Sequence, residues 1–347
     1  MQTKLIKVNP ENPDPESIKF AAGIIKAGGL VAFPTETVYG LGANALDEEA
    51  AFKIYRAKNR PQDNPLIVHI CRYEELGKLV NKVPSNAQKL MKRFWPGPLT
   101  LVLEKSEVVP YSTTGGLDTV AVRMPKHPVA LSLIKESGVP IAAPSANISG
   151  RPSPTNAQDV YEDLAGRVDL ILDGGHCQVG VESTVLDLTG EVPVILRPGG
   201  VTREELEEVL GRVELDPGLA EGQKPKSPGQ KYRHYSPKAR VLVVEGPIEA
   251  QVKKISELAE KLTVQGKKVG IMATAQTRGF YNTGYVLSVG DRNAPLTISS
   301  NLFSVLRKFD RMGVEEIIAE GIPETGLGLA VMNRLRKAAG YNIIKLE

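Results

Sequence analysis

Cysteine is nearly absent. The 347 residues hold only Cys71 and Cys177, far apart and in no C-x-x-C pair, so neither a disulfide framework nor a zinc ribbon can be built and a reducing, cytoplasmic setting is expected. Histidine is as sparse: His69, His127, His176 and His234 form no H-E-x-x-H pair, which argues against a dedicated metal site in the polypeptide. An excess of one charge is lacking too. The 43 basic residues exceed the 40 acidic ones by 3, so no overall field advertises a polyanionic partner, and any nucleotide or RNA contact has to come from a local patch. No apolar run is long enough to cross a bilayer and no signal peptide is evident, so a soluble, unexported protein with no membrane contact is expected.

Several nucleotide and hydrolase signatures are missing as well. The Gly77-Lys78 and Gly266-Lys267 pairs are followed by Leu and Lys, which excludes a Walker phosphate loop. Gly40-Leu-Gly-Ala-Asn-Ala45 has G-x-G-x-x-A spacing, but Pro34 to Tyr39 separate it from the preceding strand, so it is a weak dinucleotide fingerprint. There is no G-x-S-x-G elbow.

What is present is a 41% hydrophobic chain, long enough for two domains. Up to about residue 213, β-prone runs such as Gly29–Phe33, Leu66–Ile70, Leu99–Leu103, Val120–Val122 and Val185–Leu188 alternate with helical patterns, the mark of an α/β domain. A helix is expected after Asp14-Pro15, with Ile18, Ala22 and Ile25 on one face and a stop at Gly28-Gly29. Residues 214–238 read differently. From Glu221 to Arg240, six basic residues face one acid. This is a solvated linker or, given the run Lys231-Tyr-Arg-His-Tyr235, a basic lid. Residues 239–347 restart the alternation and suffice for a smaller Rossmann-like α/β domain.

Four polar clusters follow predicted strands, where α/β sheets place ligands. Pro34–Gly40 carries the hydroxyls of Thr35 and Thr37, and its plainer reading is a turn closed by hydroxyl-to-backbone bonds. Lys58-Asn-Arg60-Pro-Gln-Asp-Asn64 sets two cations one residue apart, suited to a single phosphate group; a solvated basic loop is the alternative. His69, at the end of the next strand, reads as a satisfied core histidine unless a ligand claims it. Pro144–Ser153 offers Ser145 and Asn147 to phosphate oxygens or a hydrated cation, with Ser153 or Thr155 as the cap of a following helix. Thr119, Arg123, Ser183 and Arg197 sit at strand ends, Arg123 suited to a carboxylate and Arg197 to a phosphate.

In chain order the sequence contains P-T-E-T-x-Y-G-L, K-x-R-P-x-x-N-P-L-x-V-H, W-P-G-P-L-T, A-x-R-x-P, P-S-A-N-x-S-G, E-S-T-V and, from Ser227 to Tyr235, S-P-G-x-x-Y-x-H-Y. It resembles the L-threonylcarbamoyladenylate synthase family in its long, two-domain form, whose catalytic unit is a YrdC-type domain. The resemblance implies a YrdC-like twisted mixed sheet over residues 1–213, a basic linker or lid over 214–238, and a C-terminal α/β domain. It implies synthesis of L-threonylcarbamoyladenylate from L-threonine, bicarbonate and ATP with release of pyrophosphate, the first step of a tRNA modification. Magnesium would accompany ATP, and no organic cofactor is needed. Threonine contacts would be Thr37, His69, Arg123, Ala143 and Ser183. ATP contacts would be Lys58, Arg60, Asn64, Thr119, Ser145, Asn147, Ser153, Arg197 and Tyr235, with Lys58, Arg60, Ser145 and Asn147 carrying the catalytic burden. Gly229-Gln230 stands where many members read Gly-Met. Direct tRNA contact and docking to the downstream threonylcarbamoyl transferase complex are left open. Two rivals stand beside this reading. One is carbamoyl adenylation, as in hydrogenase-maturation proteins with a similar domain, against which the two isolated cysteines argue. The other is an RNA-binding module, disfavoured by the near-neutral charge.

Overall fold

The computed structural model describes residues 2–218, 225–228 and 234–347. Two compact units emerge: Met1–Ser149 with Ser153–Tyr232, and Gly150–Pro152 with Arg233–Glu347.

In the first unit the strands are β1 (Lys4–Lys7), β2 (Val31–Phe33), β3 (Gly40–Asn44), β4 (Ile67–His69), β5 (Leu99–Glu104), β6 (Thr119–Arg123), β7 (Ile141–Ala142), β8 (Leu170–Asp173), β9 (Thr184–Asp187), β10 (Val194–Arg197) and β11 (Glu214–Leu215). They form one sheet in the order β1-β8-β2-β3-β7-β4-β6-β5-β9-β10-β11. The pairing is mixed: β4 and β6 run parallel, while β5 is antiparallel to β6 and β7 to β4. Period-two alternation sends successive side chains to opposite faces. Val31, Phe33, Ile141 and Ala143 join one core with Ile18, Ala22, Ile25, Leu133 and Ile134. Ala32, Leu41, Val68 and Ala142 join the larger core on the other face with Ile54, Leu90 and Leu101.

The local rules are visible at α1 (Pro15–Lys26). Asp14 accepts a hydrogen bond from the Ser17 amide at 2.9 Å, Pro15 starts the helix, and Ile18, Ala21, Ala22 and Ile25 are buried. Gly28, at φ +72°, follows its end. The next long helix, α2 (Glu48–Lys58), ends on Asn59 in the left-handed conformation. The glycine-rich Gly40–Asn44 segment is strand β3, not a dinucleotide turn. A side chain at Gly42 would stand 2.7 Å from the Phe33 ring and 2.8 Å from Ile141, so glycine is required by packing against β2 and β7. The helix after Thr155 spans Ala157–Leu164, and its cap is Asn156, whose side-chain Oδ1 accepts from the Asp159 backbone amide at 2.9 Å. This corrects the expected cap at Ser153 or Thr155: the Ser153 hydroxyl is directed elsewhere, to Glu182 at 2.6 Å.

The second unit holds β12 (Arg240–Glu245), β13 (Val269–Ala273), β14 (Tyr285–Ser288), β15 (Glu316–Glu320) and β16 (Ile343–Lys345), all parallel in the order β14-β13-β15-β12-β16. Ile255 and Ala259 of the helix Ile248–Val264 pack with Val244, Ile271 and Ile318. Among the described residues, no helix is long and apolar enough to cross a membrane.

Candidate active site

Register brings the first group of polar residues together. His69 ends β4 opposite Arg123 at the end of β6, and Thr100 on β5 lies opposite Arg123 from the other side. Arg123 is buried: Nη1 donates to Thr37 Oγ1 at 3.0 Å and Nε to the Gly97 carbonyl at 3.2 Å, while Nη2 forms an ion pair with Glu36 Oε1 at 2.7 Å without, among the described residues, a hydrogen bond of its own. The loop after β2 is therefore tied to the end of β6 by an ion pair in a low-dielectric setting. Thr35 and Thr37 share a hydroxyl contact of 2.8 Å, and the Thr35 hydroxyl reaches the Val38 carbonyl. The turn expected from sequence is thus real, and it presents Thr37 to Arg123 at the same time.

His69 is buried, with Nδ1 3.1 Å from the Ile67 carbonyl. Burial, reinforced by the Arg123 charge, holds its pKa down near about 3. The imidazole is neutral at working pH. It offers a hydrogen bond and shape, not a proton on demand.

A second group lies around β9. Ser183 Oγ is 2.7 Å from Thr100 Oγ1, and Arg197 donates to the Ser183 carbonyl from Nε at 3.2 Å and Nη2 at 3.0 Å. The Gly199-Gly200 pair makes this closeness feasible. A Cβ on Gly199 would stand 2.3 Å from backbone atoms of Glu182, Ser183 and Thr184. Arg197 and Ser183 are held as one piece.

The third group surrounds the Pro144–Ser153 loop. Lys58 Nζ is buried and donates to the carbonyls of Ser145 and Asn147, the latter at 2.6 Å. The loop is bonded into the sheet by the Leu41 amide to the Pro144 carbonyl at 2.8 Å and by the Ala146 amide to the Tyr39 carbonyl at 2.8 Å. Ala143, at the end of β7, donates its amide to the Ile67 carbonyl at 2.8 Å. Arg60 is turned away from Lys58 by left-handed Asn59 and donates to the Asn64 and Pro65 carbonyls at 3.2 and 2.9 Å. Among the described residues these bonds brace two different loops, Lys58 the Ser145–Asn147 stretch and Arg60 the Asn64–Pro65 stretch. Asn64 stands out: it is 1% exposed, and neither its Oδ1 nor its Nδ2 has a hydrogen-bond partner among the described residues. A buried amide left without partners is costly, and a ligand would relieve it.

Thr119 opens β6 and Arg123 closes it, so the strand holds them about 13 Å apart. Tyr235 belongs to the second unit, where its ring stacks on Phe303 at 5.4 Å and lies under the Arg334 guanidinium. Lys224 and the Lys231–Arg233 portion of the expected lid lie outside the described residues. Lys226 pairs with Asp187 at 3.2 Å. Three contributors were not singled out from sequence: Glu36, Thr100 and Glu182. Each lies inside a quoted motif, P-T-E-T, W-P-G-P-L-T and E-S-T-V; for Glu36 the available signal was a carboxylate flanked by two hydroxyls, Thr35 and Thr37.

Chemically the cluster is cationic: buried Lys58, Arg60, Arg123 and Arg197 stand beside the carboxylates of Glu36, Glu182 and Asp163 among the described residues. Those cations suit an anionic ligand. No thiol is primed for attack: burial raises Cys177, and burial with Glu75 nearby raises Cys71 to about 11. Among the described residues, no group of three or more His, Cys, Asp or Glu side chains is arranged to hold a metal ion.

A mixed α/β sheet whose strand ends gather buried cations and hydroxyls marks an α/β protein with a site suited to an anionic ligand. The comparisons say which one. Residues 23–199 match the Sua5/YciO/YrdC family model described as "Telomere recombination", and residues 201–340 match the model of the threonylcarbamoyl-AMP synthase C-terminal domain. The chain is 57% identical to the threonylcarbamoyl-AMP synthase of Pyrococcus abyssi over 95% of its own length and 96% of that protein's. It is 51% identical to the Bacillus subtilis enzyme of the same name, over 96% and 95%. The crystal structure of P. abyssi Sua5 complexed with L-threonine superposes with a TM-score of 0.95 at 56% identity, covering 99% of this chain and 100% of that one. This chain belongs to the threonylcarbamoyl-AMP synthase family, in the form that carries both domains.

Proposed function

We infer that the first unit joins L-threonine, bicarbonate and ATP into L-threonylcarbamoyladenylate with release of pyrophosphate, the first step of threonylcarbamoyladenosine formation in tRNA. The observation that carries this reading is the match along both domains to synthases of that name, combined with a lining rich in cations and poor in nucleophiles. The reaction supplies its own nucleophile. Bicarbonate takes up a proton and loses water to give carbon dioxide, and the threonine amine adds to that carbon and loses a proton to give a carbamate. A carbamate oxygen then attacks the α-phosphorus, and the bond to the β-phosphate oxygen breaks, releasing pyrophosphate.

What remains for the protein is alignment and charge stabilisation. Threonine would lie against Thr37, His69, Arg123, the Ala143 backbone and Ser183. Arg123 is held by Glu36 and Thr37, so it would meet a carboxylate in a fixed orientation. Neutral His69 would accept or donate a hydrogen bond to the substrate without competing for the amine proton. ATP would lie along Lys58, Arg60, Asn64, Thr119, Ser145, Asn147, Ser153 and Arg197, with Tyr235 added from the linker. The Thr119–Arg123 separation suits a nucleotide at one end of β6 and an amino acid at the other. Lys58, Arg60, Ser145 and Asn147 would take up charge at the phosphoryl group as it transfers.

Magnesium would be carried by the nucleotide, since hydroxyl and amide oxygens such as those of Ser145 and Asn147 suit a partly hydrated hard cation better than a protein cage does. When bound, it would neutralise charge on the phosphates. A cytoplasmic location accords with free, reduced cysteines. Incubating the purified chain with ¹³C-bicarbonate, L-threonine and ATP tests the reading. Mass spectrometry is expected to show labelled threonylcarbamoyl-AMP, and formation of AMP alone would overturn it.

A further inference from the structure

The second unit has a crevice of its own. At the carboxyl ends of neighbouring strands β12 and β15 lies a cavity of about 520 Å³, lined by Glu245, Gln251, Arg292, Glu324 and Arg336 among others. Its position is where open parallel α/β sheets hold ligands, and its size falls in the range of small-molecule sites. No residue of this crevice takes part in the site described above.

The lining is built. Arg292 is fixed from behind: Nε donates to Thr274 Oγ1 at 3.0 Å and Nη2 pairs with Glu320 Oε2 at 3.0 Å. Glu320 is itself buried and receives the Tyr281 hydroxyl at 2.6 Å and the Thr274 amide and hydroxyl at 3.1 and 2.8 Å. This network fixes the guanidinium through Nε and Nη2, and no bond among the described residues uses Nη1 of this lining residue. On the opposite side Arg336 bridges two carboxylates, Glu245 at 2.7 and 2.9 Å and Glu324 at 2.6 and 3.0 Å. Gln251, 2% exposed, spends its Nε2 on the Gly246 and Gly321 carbonyls at 2.7 and 3.3 Å, and its buried Oε1 has no donor among the described residues. The helix Ile248–Val264 opens beside it without a side-chain cap.

These features specify a ligand with both signs of charge. Arg292 is balanced by Glu320, whereas Glu245 and Glu324 share only Arg336, so one negative charge is left over. A phosphate would meet two carboxylates and is disfavoured. A pre-set guanidinium is suited to a carboxylate, and a donorless buried oxygen beside surplus carboxylate charge is suited to an ammonium group. We propose that this crevice binds a free α-amino acid, its carboxylate on Arg292 and its ammonium against Gln251 Oε1, Glu245 and Glu324.

Hydrogen–deuterium exchange of the full chain, with each of the proteinogenic L-amino acids added in turn, tests this and localises binding to the second unit. At least one amino acid at about 10 mM or below, the weak end of specific affinity, is expected to slow exchange in both 245–251 and 321–336. Removing either charged end of that amino acid, as the α-amide or the N-acetyl form, is expected to weaken protection by about tenfold or more, the loss of a charge-assisted hydrogen bond. Arg292→Met is expected to abolish protection, and Glu324→Gln, an isosteric change at a half-exposed side chain, to weaken it. The proposal is overturned if no amino acid protects these two segments, or if protection is indifferent to both ligand ends and to Glu324→Gln. Because the readout is confined to 245–251 and 321–336, the result is independent of whether the first unit makes threonylcarbamoyl-AMP.

Discussion

Replacing Arg123 by methionine removes a cation whose side chain is only 5% exposed, next to a Glu36 side chain that is 8% exposed and 2.7 Å away. Glu36 would be left as an uncompensated buried charge, which costs about 3–5 kcal/mol, and Thr37 would lose a 3.0 Å hydrogen bond worth about 1 kcal/mol. Adding Glu36→Gln to the Arg123→Met chain removes the orphaned charge, so the double variant is expected to regain about 2 kcal/mol or more over the single one. The chain offers a clean probe, because its single tryptophan, Trp95, is buried in the first unit with Nε1 donating to the Leu99 carbonyl at 2.7 Å. Urea unfolding followed by Trp95 fluorescence therefore reports that unit alone. Equal midpoints for the single and double variants would refute the reasoning, because the pair would then be uncoupled. Both variants are expected to show a KM for threonine raised more than that for ATP, since restoring stability does not restore the carboxylate partner.

Three further outcomes follow from the same geometry. His69 is held neutral at a pKa of about 3 against an ordinary 6.5, so its unfolded form takes up a proton that the folded form refuses. Stability from this group is whole above about pH 6.5 and falls as pH drops towards 3, by about 2 kcal/mol between pH 6.5 and 5; His69→Gln is expected to flatten that slope in urea titrations, and an unchanged slope counts against it. Asn64→Leu removes a buried amide with no partners, so the variant is expected to be as stable as the parent or more so while its KM for ATP rises about tenfold; lost stability with unchanged KM would assign Asn64 to the scaffold. Gly199→Ala drives a methyl to within 2.3 Å of the Ser183 backbone and is expected to cost several kcal/mol, about 3 or more, with activity falling alongside; a neutral outcome in a thermal melt would show that the Arg197–Ser183 piece can slide.

Much of the architecture was legible because apolar runs and caps agree locally. Leu99–Leu103 became Leu99–Glu104, Val120–Val122 became Thr119–Arg123, and α1 begins and ends where Asp14-Pro15 and Gly28 say it does. Gly40–Asn44 was not legible as a strand, since the reason for its glycines is the approach of Phe33 and Ile141 across the sheet, which no local pattern carries. The site shows the same division. Residue types near strand ends pointed to Thr37, His69, Arg123, Ser183 and Arg197; register sets His69 and Thr100 beside Arg123, and side-chain bonds tie in Thr37, Ser183 and Arg197. The partners beside them, Glu36 for Arg123 and Thr100 for Ser183, are far away in sequence, and no local pattern carries those contacts. Spacing showed Lys58 and Arg60 as neighbours but not what anchors them: across left-handed Asn59, Lys58 is bonded to the Ser145 loop and Arg60 to the Asn64 loop.

The most direct measurement of the central claim is isotope exchange between ATP and labelled pyrophosphate on the purified chain. Exchange is expected only when L-threonine and bicarbonate are both supplied, because the attacking oxygen exists only once they have combined. Exchange that proceeds without either one, or none with both present, would contradict the account.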